Sequence, residues 1–561
     1  MNFTVYLNDA LFNAGMLGFY RILYDSKLDF KEVDYDGNES EYGSGLSFDD
    51  SIFENFADAY LNGMINFLGK DAPYFGLEDY RNRLEALDKV NQDDIKETID
   101  KAKEYTVKKM SSASYKSAYE IIRSRGEDYD FLDALNRIKK IKEPEELKKE
   151  IIAAIKKMSE YKEAFILKDI IYTQVQHYWG GVSFLHKTEN KTEYVKAYED
   201  TFVKPVIDYV KAVEKGKKRK AELNCCQCGC SLTAGERMSM SWINNQGVDM
   251  YKKTSPYWNF KPDLVLCPVC SVIYSCIPLG FVTNAKANES YFINKNSSIK
   301  DLKKANNFNL NDTDRQSSYY TIIRKFIDKK EQKTAENEIQ NIQVLRRKGD
   351  ILSQNILSKD ILTGIKECRS ELEDLINRSY TENGVYADLF DEALKRIMNH
   401  ENMYTLMYKQ IRYLIDSGRT PVPVRRINGR YYSYLLSLSR IQVRIHRKGY
   451  VNMAEKLVDN GFRDGKSLRN VMLGPDRNEN KIKSLSYRLI NALKGRNRNI
   501  FLDCLMRQYQ SEGKPMPGDF CSVIKYEDKF LDYGYAFVSG LNSYNESEKN
   551  KENTEEEKTN E

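Results

Sequence analysis

Two short stretches organise this chain, NCCQCGC at Asn224–Cys230 and LCPVCSVIYSCIPLGF at Leu266–Phe281. Each contains a pair of cysteines separated by two residues, and the four cysteines are Cys225, Cys228, Cys267 and Cys270. Two such pairs supply four thiolates, which is the ligand set of a tetrahedral structural zinc site. Gly229 lies where the turn of such a site often requires a positive φ. The spacing therefore predicts a zinc-ribbon-like four-cysteine module that binds Zn²⁺.

The ligands of the first pair stay open, because Cys226 and Cys230 lie in the same short turn. Cys226 with Cys230, or Cys225 with Cys230, are alternative pairs. Cys276 is a further candidate, although the apolar sequence around it is typical of a buried segment in which cysteine is a small apolar residue. Four thiolates leave no open coordination position, so we expect the metal to stabilise the fold and not to activate water.

The ten cysteines also raise the alternatives of disulfides and of a redox motif. The first 15 residues have no cationic region, and their apolar run is broken by Asn8 and Asp9, which does not fit a signal peptide. No run of about 20 apolar residues indicates a membrane span. We therefore expect a cytoplasmic protein whose thiols stay reduced. A second cysteine pair without a surrounding βαβ pattern argues against a redox motif.

The length of 561 residues predicts several domains, and 41% hydrophobic residues indicate a globular chain. The net charge is only +5, but residues 411–500 contain 20 Lys and Arg against 6 Asp and Glu. This basic segment predicts a polyanionic partner. Residues 541–561 contain 7 Glu and 3 Lys and predict a disordered acidic tail.

The N-terminal pattern is mixed. Residues Phe3–Tyr6 and Leu28–Tyr35 resemble strands, and Asn8 or Asp9 is expected to cap the helix between them. A second helix is expected to begin at Ser47–Asp50, which resembles a capping box. The first helix carries a seam of small residues that predicts close packing on a neighbour: Ala14, Gly15 and Gly18.

Most of residues 78–172 and 312–400 show a helical pattern. Pro144 opens one of these helices, in agreement with the preference of proline for the first turn. Between these two regions, Trp179–Phe184 (WGGVSF) breaks the pattern and predicts a loop that is anchored by its aromatic ends.

The region from residue 401 onwards reads as a basic helical bundle that follows a rigid Thr420–Pro423 connection. Arg440, Arg444 and Arg447 recur at four- and three-residue steps, so they are expected on one exposed helix face. Such basic helices are typical of phosphate binding, whereas the alternative is a solvated basic face without a partner. The candidate nucleic-acid-binding residues are Arg425, Arg426, Arg430, Arg440, Arg444, Arg447, Lys448, Arg496 and Arg498.

The expected fold class is α+β and multidomain: a mixed N-terminal domain, a zinc-binding four-cysteine module and a helical C-terminal bundle. The expected domains are 1–215, 216–300, a helical middle region at 301–400, the basic bundle at 401–544 and the acidic tail at 545–561. The chain contains no phosphate-binding glycine loop, His-Glu-x-x-His motif or nucleophile elbow. These absences favour a binding subunit over an enzyme.

The double Cys-x-x-Cys pattern with a folded insert between its halves resembles the CRISPR-associated CXXC–CXXC family, the large subunit of type I-B Cascade. Further stretches carry the resemblance in the same order along the chain: YLNDALFNAGMLGFYRIL at 6–23, WGGVSF at 179–184, YWN at 257–259, FINKNSS at 292–298 and GYAFVSGL at 534–541. The crowded first cysteine turn departs from the simplest family pattern and leaves the exact ligands in doubt.

The resemblance implies a non-catalytic subunit that binds a CRISPR RNA, the Cascade backbone subunits and a small helical subunit. It implies recognition of the protospacer-adjacent motif in target double-stranded DNA and stabilisation of the R-loop, while guide pairing reads the sequence. A helicase–nuclease would be recruited in trans for cutting. The N-terminal region with the 179–184 loop is the expected place of motif discrimination. The alternatives are a zinc-stabilised nuclease or other nucleic-acid-modifying enzyme, and a zinc scaffold without a nucleic-acid role.

Overall fold

The structure is a computed structural model. It describes residues 1–86, 92–180, 194–215, 221–243, 257–258, 261–262, 264–284, 288–308, 342–376, 378–382, 385–416, 422–427, 430–447, 451–473, 479–518, 520, 523 and 526–545. The chain divides into two compact units. Unit 1 comprises residues 1–312 and 342–355, and unit 2 comprises residues 313–341 and 356–561.

The helices of unit 1 are α1 Ala10–Asp25, α2 Phe56–Leu68, α3 Tyr74–Glu85, α4 Gln92–Met110, α5 Ala113–Ser124, α6 Phe131–Lys140, α7 Pro144–Ser159, α8 Lys162–Thr173, α9 Tyr194–Tyr198, α10 Lys204–Glu214, α11 Pro268–Ser275, α12 Ile277–Gly280 and α13 Ile299–Ala305. Its strands are β1 Asn2–Tyr6, β2 Phe30–Val33, β3 Gly45–Asp49, β4 Leu223–Asn224, β5 Ser231–Leu232, β6 Tyr257–Trp258, β7 Lys261–Pro262, β8 Val282–Asn284, β9 Glu289–Asn294, β10 Ile342–Lys348 and β11 Ile351–Leu357, the last of which runs on into unit 2.

The helices of unit 2 are α14 Lys359–Glu367, α15 Arg369–Leu375, α16 Leu389–Met398, α17 Tyr404–Asp416, α18 Tyr434–His446, α19 Val451–Leu473, α20 Glu479–Lys494, α21 Arg498–Ser511 and α22 Glu527–Leu541. Its further strands are β12 Ser379–Glu382, β13 Val385–Asp388, β14 Val422–Ile427, β15 Arg430–Tyr432 and β16 Ser543–Asn545. The mixed α/β class with a Cys-rich module is therefore confirmed, whereas the five domain boundaries stay predictions.

The first strand and helix form as the sequence predicts. β1 pairs with β3 in an antiparallel sheet of order β1-β3-β2, and the Asp9 carboxylate caps α1 by accepting the N–H groups of Leu11 and Phe12. The expected helix start at Ser47–Asp50 is wrong. Leu46 and Phe48 are buried on the strand β3, and Asp49 caps only a short 3₁₀ turn that precedes α2.

The predicted small-residue seam is confirmed as a backbone-to-backbone contact. A Cβ atom at Gly18 would overlap the carbonyl oxygen of Cys276, and one at Gly280 would overlap that of Ala14. α1 therefore lies directly against α11 and α12, the helices that follow the second cysteine pair. Since the core of unit 1 includes residues of all three helices, the Cys-rich segment is built into this core.

The helical pattern of residues 78–172 is confirmed by α3 to α8, and Pro144 is the first residue of α7. The helical reading of residues 312–400 is wrong in part, because β10 to β13 lie within it and residues 309–341 fall outside the description. Gly349, with φ +59°, turns the chain between β10 and β11, which join β9 and β8 in one sheet. Residues 342–357 thus form a hairpin and not a helix.

Unit 2 is organised around two closely packed helices, α19 and α22. Cβ atoms at Gly465 and Gly540 would overlap the carbonyl oxygens of Phe537 and Phe462, so these backbones touch as well. The Thr420–Pro423 connection enters the strand β14, which pairs in parallel with β16. Asn545, which the sequence assigned to the acidic tail, belongs to β16, and residues 546–561 lie outside the description. Across the described ranges, none of the helices combines the length and the apolar character that a bilayer crossing requires.

Candidate metal centre

Four thiols of the Cys-rich segment converge on one point. The sulfur atoms of Cys225, Cys228, Cys230 and Cys267 all lie within 4.8 Å of one another. With Zn–S bonds of about 2.3 Å, the edges of a sulfur tetrahedron are about 3.8 Å long, and the Sγ atoms of Cys228 and Cys267 are 3.7 Å apart. The donor set and its spacing therefore fit a structural zinc ion.

Local backbone geometry positions the two cysteine pairs. The first pair lies in the turn between β4 and β5, where Gly229 has the predicted positive φ of +74° and donates its N–H to the carbonyl of Cys225 over 2.9 Å. In the second pair, Cys267 is the N-cap of α11, and its Sγ accepts the N–H of Cys270 over 3.3 Å. The first pair is thus held by a tight turn between two short strands, and the second pair by the start of a helix.

Cys270 is a fifth thiol at this centre. It is fully buried and lies outside the group of four whose sulfur atoms are all within 4.8 Å of one another, although the sequence predicted it as a ligand. Its backbone N–H donates to Cys267 Sγ, and the neighbouring thiols, Cys225 first and then Cys228, raise the pKa of the Cys270 thiol. Cys230 interacts with the same three partners. Cys225, Cys228 and Cys267 are therefore common to both possible ligand sets, and Cys230 and Cys270 are alternative fourth ligands.

Mutual hydrogen bonding among the crowded thiols shifts their pKa values in opposite directions: the pKa is lowered for Cys225 and Cys228 and raised for Cys230, Cys267 and Cys270. Hydrogen bonds from neighbouring thiols, that of Cys228 first, lower the pKa of Cys225. Hydrogen bonding to Cys225 is the first cause that raises the pKa of Cys230, Cys267 and Cys270. A divalent cation at the centre would compensate the charges of four thiolates, so metal binding releases protons from this cluster.

The other candidate cysteines lie apart from the cluster. Cys226 contacts the sulfur of Met240 at 3.8 Å, and burial raises its pKa to about 11. Cys276 is completely buried, its Sγ donates to the carbonyl of Val272 over 3.3 Å, and burial raises its pKa. Both are packing residues, so the alternative pair of Cys226 with Cys230 does not form.

A polar network ties the first cysteine turn to α1. Gln227, between two cysteines, donates from Nε2 to Asp9 Oδ2 over 2.7 Å and contacts the Tyr274 hydroxyl at 2.5 Å. The Tyr274 hydroxyl donates to the same Asp9 oxygen over 3.1 Å. Sequence reasoning missed Gln227, because its partners are 218 and 47 residues away.

The loop that begins at Trp179 is anchored as predicted at its first end. Trp179 is completely buried and makes edge contacts with Phe202 and Trp242, while the N–H of Gly180 donates to the Trp242 carbonyl over 2.8 Å. Trp179 is thus a core residue that joins the segment before the loop to the insert of the Cys-rich module. Phe184 lies outside the described residues.

The arginines of α18 do not form the expected exposed row. The guanidinium of Arg440 is only 1% exposed and lies 2.8 Å from Asp459. Arg444 pairs with Glu371 and Glu455 at the end of α18. The next residue of the set, Arg447, donates to Asp532 over 3.0 Å. This part of the prediction is wrong because carboxylates distant in sequence fold against the basic face, which sequence periodicity does not reveal.

The remaining candidate basic residues are dispersed. Three of them lie on the hairpin β14–β15, namely Arg425, Arg426 and Arg430, and the structure describes only their backbone. Lys448 lies outside the described residues. Arg496 is exposed and pairs with Glu527 at 2.7 Å, and Arg498 is the first residue of α21. The binding of nucleic acid by these residues stays a prediction.

Residues 218–282 match a family model whose description is CRISPR-associated protein (Cas_CXXC_CXXC). The match supports membership of this chain in the CRISPR-associated CXXC–CXXC family. The matched segment contains the four clustered thiols and Cys270, and it continues through α11 and α12. The matched residues thus coincide with the thiol cluster that could hold a metal ion. No curated protein and no solved structure matches the chain.

Proposed function

We propose that this protein is the non-catalytic large subunit of a type I-B CRISPR RNA-guided surveillance complex. The observation that carries the proposal is the family match at residues 218–282, in the same segment as a thiol cluster of zinc geometry. Four thiolates fill the coordination sphere of Zn²⁺, which suits a stabilising metal and not a catalytic one. The metal in this proposal is zinc.

In this function the chain recognises the protospacer-adjacent motif in target double-stranded DNA and stabilises the R-loop. Motif discrimination belongs to unit 1, in the region of the loop after Trp179. The chain binds the CRISPR RNA, the backbone subunits and the small subunit in the cytoplasm, and a helicase–nuclease acts in trans. This division of labour leaves sequence reading to guide pairing and needs only a short motif to be read by protein.

The test uses the complex assembled with its CRISPR RNA, with and without this chain. Two target duplexes that differ only in the adjacent motif are compared by mobility shift, and strand opening is followed by permanganate reactivity of thymines in the protospacer. We expect tight binding and opening only with the chain and the preferred motif. Equal binding of both duplexes, or equal binding without the chain, would contradict the proposal.

A second arm addresses the enzyme alternative. The purified chain is incubated with labelled DNA and Mg²⁺ or Mn²⁺, and a Cys267→Ser variant purified in the same way serves as the control for contaminating nucleases. Cutting by the wild-type chain above the level of the variant would favour a nuclease and overturn the non-catalytic assignment.

A further inference from the structure

Unit 2 contains a cavity of about 680 Å³, and Arg496 is the candidate basic residue that lines it. It is lined by residues of β12 and α17, by the end of α20 and by α22. The volume lies within the range of about 300–1,000 Å³ that is typical of ligand sites. The cavity is therefore large enough for a nucleotide-sized group.

Tyrosines dominate the lining of this cavity. Five line it: Tyr380, Tyr404, Tyr408, Tyr413 and Tyr535. The rings of Tyr404 and Tyr535 stack on each other with centroids 5.3 Å apart and planes 19° apart, which makes a rigid aromatic wall. Tyr404 is fixed further by donating its hydroxyl to Asp532 over 2.5 Å. Tyr380 and Tyr535 are buried, so the half-buried rings of Tyr404, Tyr408 and Tyr413 are the ones that face the open part of the cavity. Such aromatic faces bind nucleobases by stacking, without regard to sequence.

Cations lie beside the tyrosines. The described lining residues include four cations and one carboxylate, so the lining is basic. The cations are Lys409, Arg412, Lys494 and Arg496, and the carboxylate is Asp416. The ammonium of Lys494 lies 4.7 Å from the centre of the Tyr408 ring, so cation and aromatic face share one location. Arg412 pairs with Asp416 at 3.1 Å and is 49% exposed, which leaves room for a phosphate beside the pair.

We propose that this cavity binds single-stranded nucleic acid, with a base against the tyrosines and the adjoining phosphates on Arg412, Lys494 and Arg496. Tyrosine rings together with exposed cations are the two components of strand binding that does not read sequence. A duplex fits poorly because its bases are stacked and paired inside the helix. Tyrosines and cations together could bind any anionic aromatic compound, and the choice of a nucleic acid rests on the proposed function.

The experiment measures binding of the full chain to a fluorescein-labelled oligothymidylate of 12 nucleotides by anisotropy at several salt concentrations. Arg412→Ala should weaken binding and reduce the salt slope by about 0.7, the value for one phosphate contact on a single strand. Arg507→Ala is the matched control, because Arg507 forms the same type of i,i+4 ion pair with Asp503 on another helix and does not line the cavity. It should leave affinity and slope unchanged.

A second pair of variants tests the stacking. Tyr408→Leu should weaken binding about tenfold because one base stack is lost, whereas Tyr408→Phe keeps the ring and should bind like the wild type. Photocrosslinking with 5-iodouracil should attach the oligonucleotide to peptides that contain Tyr404, Tyr408 or Tyr413. Crosslinks confined to other peptides, or equal effects of Arg412→Ala and Arg507→Ala, would overturn the inference.

Competition distinguishes the nature of the ligand. Unlabelled oligothymidylate should displace the probe, and neither ATP nor a blunt duplex of equal length should do so at the same nucleotide concentration. Displacement by ATP alone would assign the cavity to a free nucleotide and refute strand binding.

The cavity inference and the proposed function can fail separately. If the Arg412→Ala effect is found but the assembled complex ignores the adjacent motif, only the proposed function fails. If the complex reads the motif and the chain binds no oligonucleotide, only the cavity inference fails.

Discussion

Gln227 donates a hydrogen bond of 2.7 Å to Asp9, the residue that caps α1. Gln227 lies between two cysteines of the metal centre, so the carboxylate of Asp9 joins the start of the N-terminal helix to the first cysteine turn. Further along α1, its backbone also touches α11 and α12, the helices that follow the second cysteine pair. The first cysteine turn is therefore joined to the N-terminal helix, so a metal ion bound by these thiols would stabilise both.

This relationship predicts a measurable coupling between the two residues. Gln227→Ala should lower the free energy of unfolding by about 1 kcal/mol, and Asp9→Ala by about 1–2 kcal/mol because the helix cap is lost too. The double variant should be less destabilised than the sum, by about 0.5–1 kcal/mol. Urea unfolding followed by tryptophan fluorescence reports on unit 1, which contains all three Trp residues. Strict additivity would show that the hydrogen bond contributes nothing.

Loss of a shared ligand should remove the metal. Cys267→Ser is expected to lower the zinc content and the soluble yield together, because the binding energy of a structural zinc is largely folding energy. Metal is measured by plasma mass spectrometry after dialysis against a metal-free buffer. Cys276→Ser is the control, since Cys276 is buried outside the cluster, and it should retain its metal. Wild-type protein that contains no metal after purification would refute the site.

The fifth thiol predicts redundancy at one ligand position. Cys230→Ser and Cys270→Ser should each retain about one metal ion per chain, whereas the double variant should lose it, because three thiolates no longer close the tetrahedron. Cobalt substitution gives an independent reading, since the thiolate-to-cobalt absorption band reports the number of sulfur ligands. If one single variant loses the metal and the other keeps it, that one cysteine is the fourth ligand and the redundancy is disproved.

The contact of α1 with α12 predicts that a single methyl group is destabilising. Gly18→Ala should cost about 1–3 kcal/mol through overlap with the Cys276 carbonyl, in spite of the better helix propensity of alanine. Gly235→Ala is the control, because no atom lies within 4 Å of the added methyl group and the change should stay within about 0.5 kcal/mol. Equal midpoints of urea unfolding for the two variants would argue against the close contact.

The buried arginine of α18 predicts a loss of stability confined to unit 2. Arg440→Ala leaves Asp459 without its guanidinium partner and should cost about 3 kcal/mol. The loss should appear in unfolding followed by far-ultraviolet circular dichroism and leave the tryptophan transition of unit 1 in place. Arg507→Ala, which breaks an exposed pair, should change stability by less than about 1 kcal/mol. A fully stable Arg440→Ala variant would show that the pair is not required.

Local patterns determined the elements whose causes lie within a few residues. The Cys-x-x-Cys spacing predicted a thiol cluster and three of its four members, Gly229 predicted its turn, Asp9 the cap of α1 and Pro144 the start of α7. Each follows from short-range hydrogen bonding or from the allowed φ of one residue type. The small residues between Ala14 and Gly18 likewise predicted a close helix contact, but they did not predict that α11 and α12 are the helices in contact.

Only the tertiary structure decided which distant groups meet. Arg440 and Arg444 have the spacing of an exposed basic face, yet Asp459 and Glu371 neutralise them from other helices. The reverse holds for the cavity: Tyr404, Tyr408 and Arg412 recur at four-residue steps of α17, but Lys494 and Tyr535 complete it from α20 and α22. The choice between Cys230 and Cys270 is of the same kind. Charge pairing and ligand sets depend on distances across the fold, which a one-dimensional pattern does not contain.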